Sequence, residues 1–165
     1  MAQARGRHRW LGLAGWIVLT FAAAAVGALA TPDAREFYAA LAKPAWAPPG
    51  GAFGPVWTVL YALMAVAAWL VWLERGWRGA RGALTLFCMQ LAVNSLWSWF
   101  YFGWRQGALA FAEVLLLWLL IAATIAAFWR VRRLAAALLA PYLAWVSYAS
   151  ALTWATWRAN PQLLG

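Results

Sequence analysis

The stretch QGALAFAEVLLLWLLIAATIAAFW, Gln106 to Trp129, carries one charged side chain, Glu113, in an otherwise apolar run. A spanning helix needs roughly 20 such residues, and this one is long enough. Four further runs are free of charge altogether: Trp10 to Ala30, Ala45 to Leu73, Gly82 to Trp104 and Leu134 to Trp157. The runs are apolar on every face, so they do not read as the short alternating strands of a β-barrel. Within lipid each backbone amide must find its partner inside its own segment, which predicts an all-α bundle of five transmembrane helices, roughly 10–30, 55–73, 82–104, 106–129 and 134–157. With 165 residues in all, little chain remains for anything else, and the sequence is read as one membrane domain.

Composition agrees. The chain is 67% hydrophobic and 10% charged, against about 25% charged in a soluble domain. Its net charge of +9 is a topology signal and not a nucleic-acid footprint, because the basic residues are segregated. Arg5, Arg7, Arg9, Arg75, Arg78, Arg81, Arg130, Arg132 and Arg133 fall on one side of the five spans, and only Arg35, Lys43, Arg105 and Arg158 on the other. The positive-inside rule then puts the N-terminus in the cytoplasm and the C-terminus outside. Ala28-Leu29-Ala30 imitates a signal-peptide cleavage site, but the preceding apolar run is longer than the usual 7 to 15 residues, and a retained first helix is expected.

Metal chemistry has little support: the single histidine, His8, is in the N-terminal tail, and the lone Cys88 sits in a span. No set of nucleophile, base and orienting group is visible either.

One connection is long. Between Thr31 and Pro55, Asp33, Arg35, Glu36, Phe37, Tyr38 and Leu41 suit a short amphipathic helix that Lys43-Pro44 would end. Pro48 and Pro49 stiffen the rest of the connection into an extended frame, and Pro55 suits the first turn of the second span. Such a loop reads as a rigid lid, with Trp46 and Phe53 as candidates for its underside.

Three helical stripes are candidates for the walls below it. Trp57, Tyr61, Met64 and Ala68 share one face of the second span; Gln90, Asn94, Trp97 and Tyr101 share one face of the third, with Ser98 beside them. In the fifth, Trp145, Tyr148, Ala149 and Leu152 lie on one side. Gln90 and Asn94 must face the interior, either as interhelical hydrogen bonds or as polar handles of a cavity. Glu113 is a functional candidate because it is the one acid within a span. Trp10, Trp16, Trp77, Trp104, Trp129 and Trp157, near span ends, suit an interfacial belt, and Ala23-x-x-x-Gly27 is a small-residue motif of the kind that pairs helices.

Three blocks in order, KPAWAPPGGAFGPVWTVLYALM from Lys43, QLAVNSLWSWFYFG from Gln90 and PYLAWVSYASAL from Pro141, closely resemble the TspO/MBR family of tryptophan-rich sensory and translocator proteins, here a bacterial member. The resemblance implies a homodimeric five-helix bundle in the lipid bilayer of a bacterial cell membrane that binds porphyrins such as protoporphyrin IX, with no covalent cofactor. It implies a role in tetrapyrrole transport, sensing or regulation, or, alternatively, light-dependent porphyrin breakdown with Trp57 or Trp145 as the reactive side chain. Carried over by motif, the ligand site comprises Tyr38, Trp46, Pro48, Pro49, Trp57, Tyr61, Asn94, Ser98, Trp145 and Ala149; the stripes add Phe53, Trp97 and Leu152. Two positions depart from the family: Thr153 follows Leu152 where an asparagine is usual, and Trp154 stands where a tyrosine would precede Arg158. Sterol binding is not expected from so incomplete a pattern.

Overall fold

Five helices in the computed structural model are long and apolar enough to cross a membrane, and the chain is a multi-pass integral membrane protein. The structure describes the backbone from Ala2 to Gly165 and side chains from Arg9; the side chains of Arg5, Arg7 and His8 lie outside the described residues. The spans are α1 (Ala2–Ala28), α3 (Phe53–Gly79), α4 (Arg81–Ser98), α5 (Gly107–Trp129) and the pair α6 (Arg133–Leu138) and α7 (Ala140–Ala159). Short helices α2 (Ala34–Ala40) and α8 (Pro161–Leu164) lie beyond the spans at the end of the bundle where α1 finishes.

The spans pack in a ring: α1 against α3, α3 against α6, α7 against α5, α5 against α4, and α4 back against α1. Ala65, Ala67 and Ala68 of α3 are fully buried, and their small side chains let neighbouring backbones approach where lipid gives no hydrophobic drive of its own. Met64, Val71, Leu84, Phe87, Ile121, Phe128 and Tyr142 fill the middle. Val18, Leu29 and Leu119 face outward, as lipid-facing residues do.

The helices depart from the five runs at identifiable places. Pro141 has no amide to continue the ladder, so the fifth span breaks at Leu139, whose N–H turns to Ala136 O at 3.1 Å. The third span ends in a π turn, Trp99–Gly103, closed by Trp104 N–H to Trp99 O at 2.7 Å. The second runs on to Gly79, bending at Gly76, whose φ of 62° suits a residue without Cβ. Trp16, expected in the interfacial belt, is buried instead, stacked on Trp77 and edge-on to Phe87. The Ala23 to Gly27 motif faces α4 within the chain: Ser95 Oγ donates to Ala23 O at 2.8 Å, and a Cβ at Gly27 would meet Ser98 Oγ at 3.3 Å.

Candidate functional site

The long loop folds as a strap across one end of the ring. Phe37 and Tyr38 of α2 are buried, as the amphipathic pattern requires. The helix stops at Ala40, short of Lys43-Pro44, where Leu41 is already extended, and Lys43 folds back to cap it: Nζ donates to Tyr38 O at 2.6 Å, Leu41 O at 2.8 Å and Ala39 O at 3.3 Å. Pro49 is extended and leads through a single 3₁₀ turn, Gly50–Ala52, into α3.

Side chains pin this strap along its length. Asn160, at the end of α7, accepts from Ala42 N–H at 2.8 Å and donates to Ala42 O at 2.9 Å, satisfying both backbone groups of one residue. Tyr38 donates to Pro48 O at 2.9 Å and Tyr148 to Trp46 O at 2.9 Å. Arg105, in the turn after the π segment, pairs with Asp33 at 2.6 Å and lies over the Phe37 ring. Burial, and secondly the nearby Tyr148 phenol, hold the Tyr38 hydroxyl above its ordinary pKa of 10.0, so the docked hydroxyl keeps its proton further into the alkaline range.

Against the strap lies a cavity of about 360 Å³. Its walls come mainly from four helices, Phe21, Ala24 and Gly27 of α1, Tyr38 of α2, Phe53, Trp57 and Tyr61 of α3, and Asn94, Trp97 and Ser98 of α4, with Gly50 of the 3₁₀ turn and Phe102 of the π turn beside them. Trp57 and Tyr61 lie with ring centroids 5.5 Å apart, and Phe21 approaches Tyr61 at 6.0 Å. The polar handle is a pair: Asn94 Nδ2 donates to the Tyr61 hydroxyl at 2.8 Å, both side chains buried. That bond leaves the Asn94 carbonyl oxygen and the Tyr61 hydroxyl proton for a further partner.

Phe53, Trp57, Asn94 and Trp97 are a shared partition. Behind them is a second, much smaller space of about 20 Å³, bounded by Val114 and Leu117 of α5 and by Trp145, Val146 and Ala149 of α7. Phe53 meets Trp145 edge-on at 6.0 Å across this partition. The candidate residues therefore divide into groups. Tyr38, Phe53, Trp57, Tyr61, Asn94, Trp97 and Ser98 line the main cavity, whereas Trp145 and Ala149 line the small space behind it. Trp46, Pro48, Pro49 and Leu152 line neither. Trp46 is half-exposed on the strap with its ring edge-on to Tyr148, Pro48 acts through its carbonyl, and Leu152 is buried in α7 packing.

Gln90 and Asn94 separate the two roles that their position left open. Gln90 accepts from Tyr142 at 2.9 Å in the packed interior and binds helices together; Asn94 does this and also faces the cavity. Glu113 is buried on α5 outside the cavity wall, with no hydrogen-bond partner for either oxygen among the described residues.

Residues 16–158 match the TspO/MBR family. This chain belongs to the TspO/MBR family. It is 40% identical to the Tryptophan-rich protein TspO of Chlorobaculum tepidum over 92% of this chain and 97% of that one. It is 41% identical to the Translocator protein of Homo sapiens, covering 78% of this chain and 77% of that one. With the Tryptophan-rich sensory protein of Cereibacter sphaeroides the identity is 40%, over 87% and 91%. The family match takes in α1 from Trp16 onward, whose Phe21, Ala24 and Gly27 belong to none of the three stripes; the side of α1 that lines the cavity carries no polar residue to betray it.

Proposed function

We propose that this TspO/MBR protein binds a flat tetrapyrrole such as protoporphyrin IX in the main cavity and acts in porphyrin transport, sensing or regulation. The observation that carries the proposal is the cavity wall: indole and phenol faces of Trp57, Trp97 and Tyr61 beside one polar pair, Asn94 with Tyr61. Ligand pockets of this kind join a mostly apolar lining to a few placed polar groups, and 360 Å³ falls near the lower end of their usual range of about 300–1,000 Å³. Phe21 and Ala28 on α1 are exposed, so the cavity is open on that flank, and a large macrocycle need not be enclosed completely. Membership of the family and the names of its relatives, one a translocator and one a sensory protein, support the same class.

The same proposal holds that the protein works in a bacterial cell membrane as a homodimer, with its N-terminus in the cytoplasm. The segregation of Arg75, Arg78, Arg81, Arg130, Arg132 and Arg133 to one end of the bundle supports that orientation.

Titration of the purified protein with protoporphyrin IX, followed by tryptophan quenching, tests the assignment. Trp57→Ala should weaken binding by about tenfold, a loss of roughly 1.4 kcal/mol for one aromatic face. Trp145→Ala, on the far side of the partition, should weaken it less. Unchanged affinity in Trp57→Ala would remove the cavity from consideration.

A second reading, light-dependent breakdown of the porphyrin, is favoured by one observation: Trp57 lines the cavity, where an oxidisable indole would meet the bound ring. Illuminated porphyrin should then lose absorbance faster with the native protein than with Trp57→Phe. Equal decay with native protein and with detergent alone ends that reading.

A further inference from the structure

Three basic residues lie in the strap or pair with it, and two of them are engaged. Lys43 is committed to three carbonyls at the end of α2, and Arg105 to Asp33 and the face of Phe37. The third, Arg35, has no hydrogen-bond or ion-pair partner among the described residues, and it is the one charged side chain among those that line the main cavity. Its neighbours on that rim are Thr31 and Tyr38, while the opposite wall is the aromatic face of α3. A guanidinium is a fork of N–H donors whose geometry matches a carboxylate, and its charge is felt more strongly beside a low-dielectric wall than in open water. Glu36, the next residue on α2, is outside the cavity lining, and Asp33 is occupied by Arg105, so neither acid supplies the counter-charge at the rim.

We propose that Arg35 is the anion-reading residue of the cavity: the ligand is amphipathic, its flat body against Trp57 and Trp97 and its carboxylate at the rim on the Arg35 guanidinium. This rests on the tetrapyrrole reading above and narrows it to acidic porphyrins, those that keep ionised propionate side chains. It also fixes the direction of the bound ring, with its acidic edge toward α2 and the strap and its opposite edge toward the Tyr61 and Asn94 pair.

The test compares protoporphyrin IX with its dimethyl ester, which has the same ring and no charge, on the full-length protein in neutral detergent, with tryptophan quenching as the signal. The native protein should prefer the diacid by roughly threefold to tenfold, the range of a partly exposed ion pair, and the preference should shrink with added salt. Arg35→Gln should bind both compounds as the native protein binds the ester, and Arg35→Lys should retain part of the preference. Native-like ester binding by Arg35→Gln also shows that the cavity is folded. Equal binding of acid and ester by the native protein overturns the Arg35 assignment and leaves the cavity reading intact. A preference that survives in Arg35→Gln does the same. Failure of the native protein to bind either compound overturns both.

Discussion

The two ends of the bundle are built on different principles. At the end that carries the strap, side chains fasten the loop's own backbone at several points: partly buried bonds from Asn160 to Ala42, Tyr38 to Pro48 and Lys43 to Tyr38 O, and an exposed one from Tyr148 to Trp46. At the arginine-rich end the helices are joined by tight turns, and the cross-links are exposed: Trp69 to Arg9 O, Arg75 to Arg130 O at 3.4 Å, and Arg132 to Glu74 at 3.3 Å. The first arrangement gives fixed geometry, since a partly buried amide left without its partner is expensive. The second ties neighbouring helix ends only loosely, since contacts so open to water contribute little. The longest connection in the protein is therefore among its better-fastened parts, and it is the part that borders the cavity.

The largest effect expected from breaking this contrast is at Asn160. Asn160→Ala removes two part-buried hydrogen bonds to Ala42 and should loosen the strap by about 1–3 kcal/mol, the net worth of two such bonds. Amide exchange across residues 41–52 should accelerate, and a bound porphyrin should dissociate faster, while the melting of the five spans shifts less. Unchanged exchange in the strap would show that Asn160 is not what fastens it.

Next in size is the replacement of both prolines. Pro48→Gly with Pro49→Gly keeps the backbone carbonyl that Tyr38 uses but frees the unpinned chain, at roughly 0.4–1 kcal/mol per site. Ligand retention should suffer more than bundle stability; equal losses in both would mean that the stiffness of the strap has no particular bearing on the cavity.

The range of each interaction decides how far the sequence makes it legible. Spans are read from composition over some twenty neighbouring residues, and α2 from the alternation of Phe37 and Tyr38 with charged positions. The Asn160 to Ala42 pair joins residues 118 apart, and nothing local to either announces it. The π turn at Trp99–Gly103 has no composition of its own, whereas the break at Leu139 is marked by Pro141 but masked by the apolar run that continues through it. The stripes on α3 and α4 identify inward faces correctly, since Trp57, Tyr61, Asn94 and Trp97 do meet. A stripe says that residues share a face and not which space they share, so only the assembled helices assign Trp145 and Ala149 to the far side of the partition.

A smaller effect comes from Tyr38 and is read by pH. Its folded pKa lies above the ordinary 10.0, so the docked strap keeps a proton that the released strap gives up once the pH passes 10. The Tyr38 contribution is therefore intact below pH 10 and is lost as the pH climbs through the raised folded value. Tyr38→Phe removes the bond to Pro48 O, a loss of about 0.5–1.5 kcal/mol, and with it this alkaline component. The difference in strap exchange between native protein and Tyr38→Phe should be constant between pH 7 and 9 and shrink above 10; a difference that grows there would contradict the sign.

The smallest effect belongs to the opposite end. Arg132 and Glu74 meet at 3.3 Å with their side chains 39% and 50% exposed, and the bond joins the α5–α6 turn to the last turns of α3. An ion pair so open to solvent gains little, because water screens it and two long side chains must be held still to form it; the expected contribution is about 0–1 kcal/mol. Glu74→Gln removes the charge while keeping length and an oxygen acceptor, so thermal stability in detergent should move by less than in Asn160→Ala and porphyrin affinity should not move at all. Should Glu74→Gln lower affinity as much as Asn160→Ala does, the two ends would be coupled through α3, whose Trp57 faces the cavity and whose far end carries Glu74, and the bundle would have to be treated as one mechanical unit and not as a fastened end and a charged end.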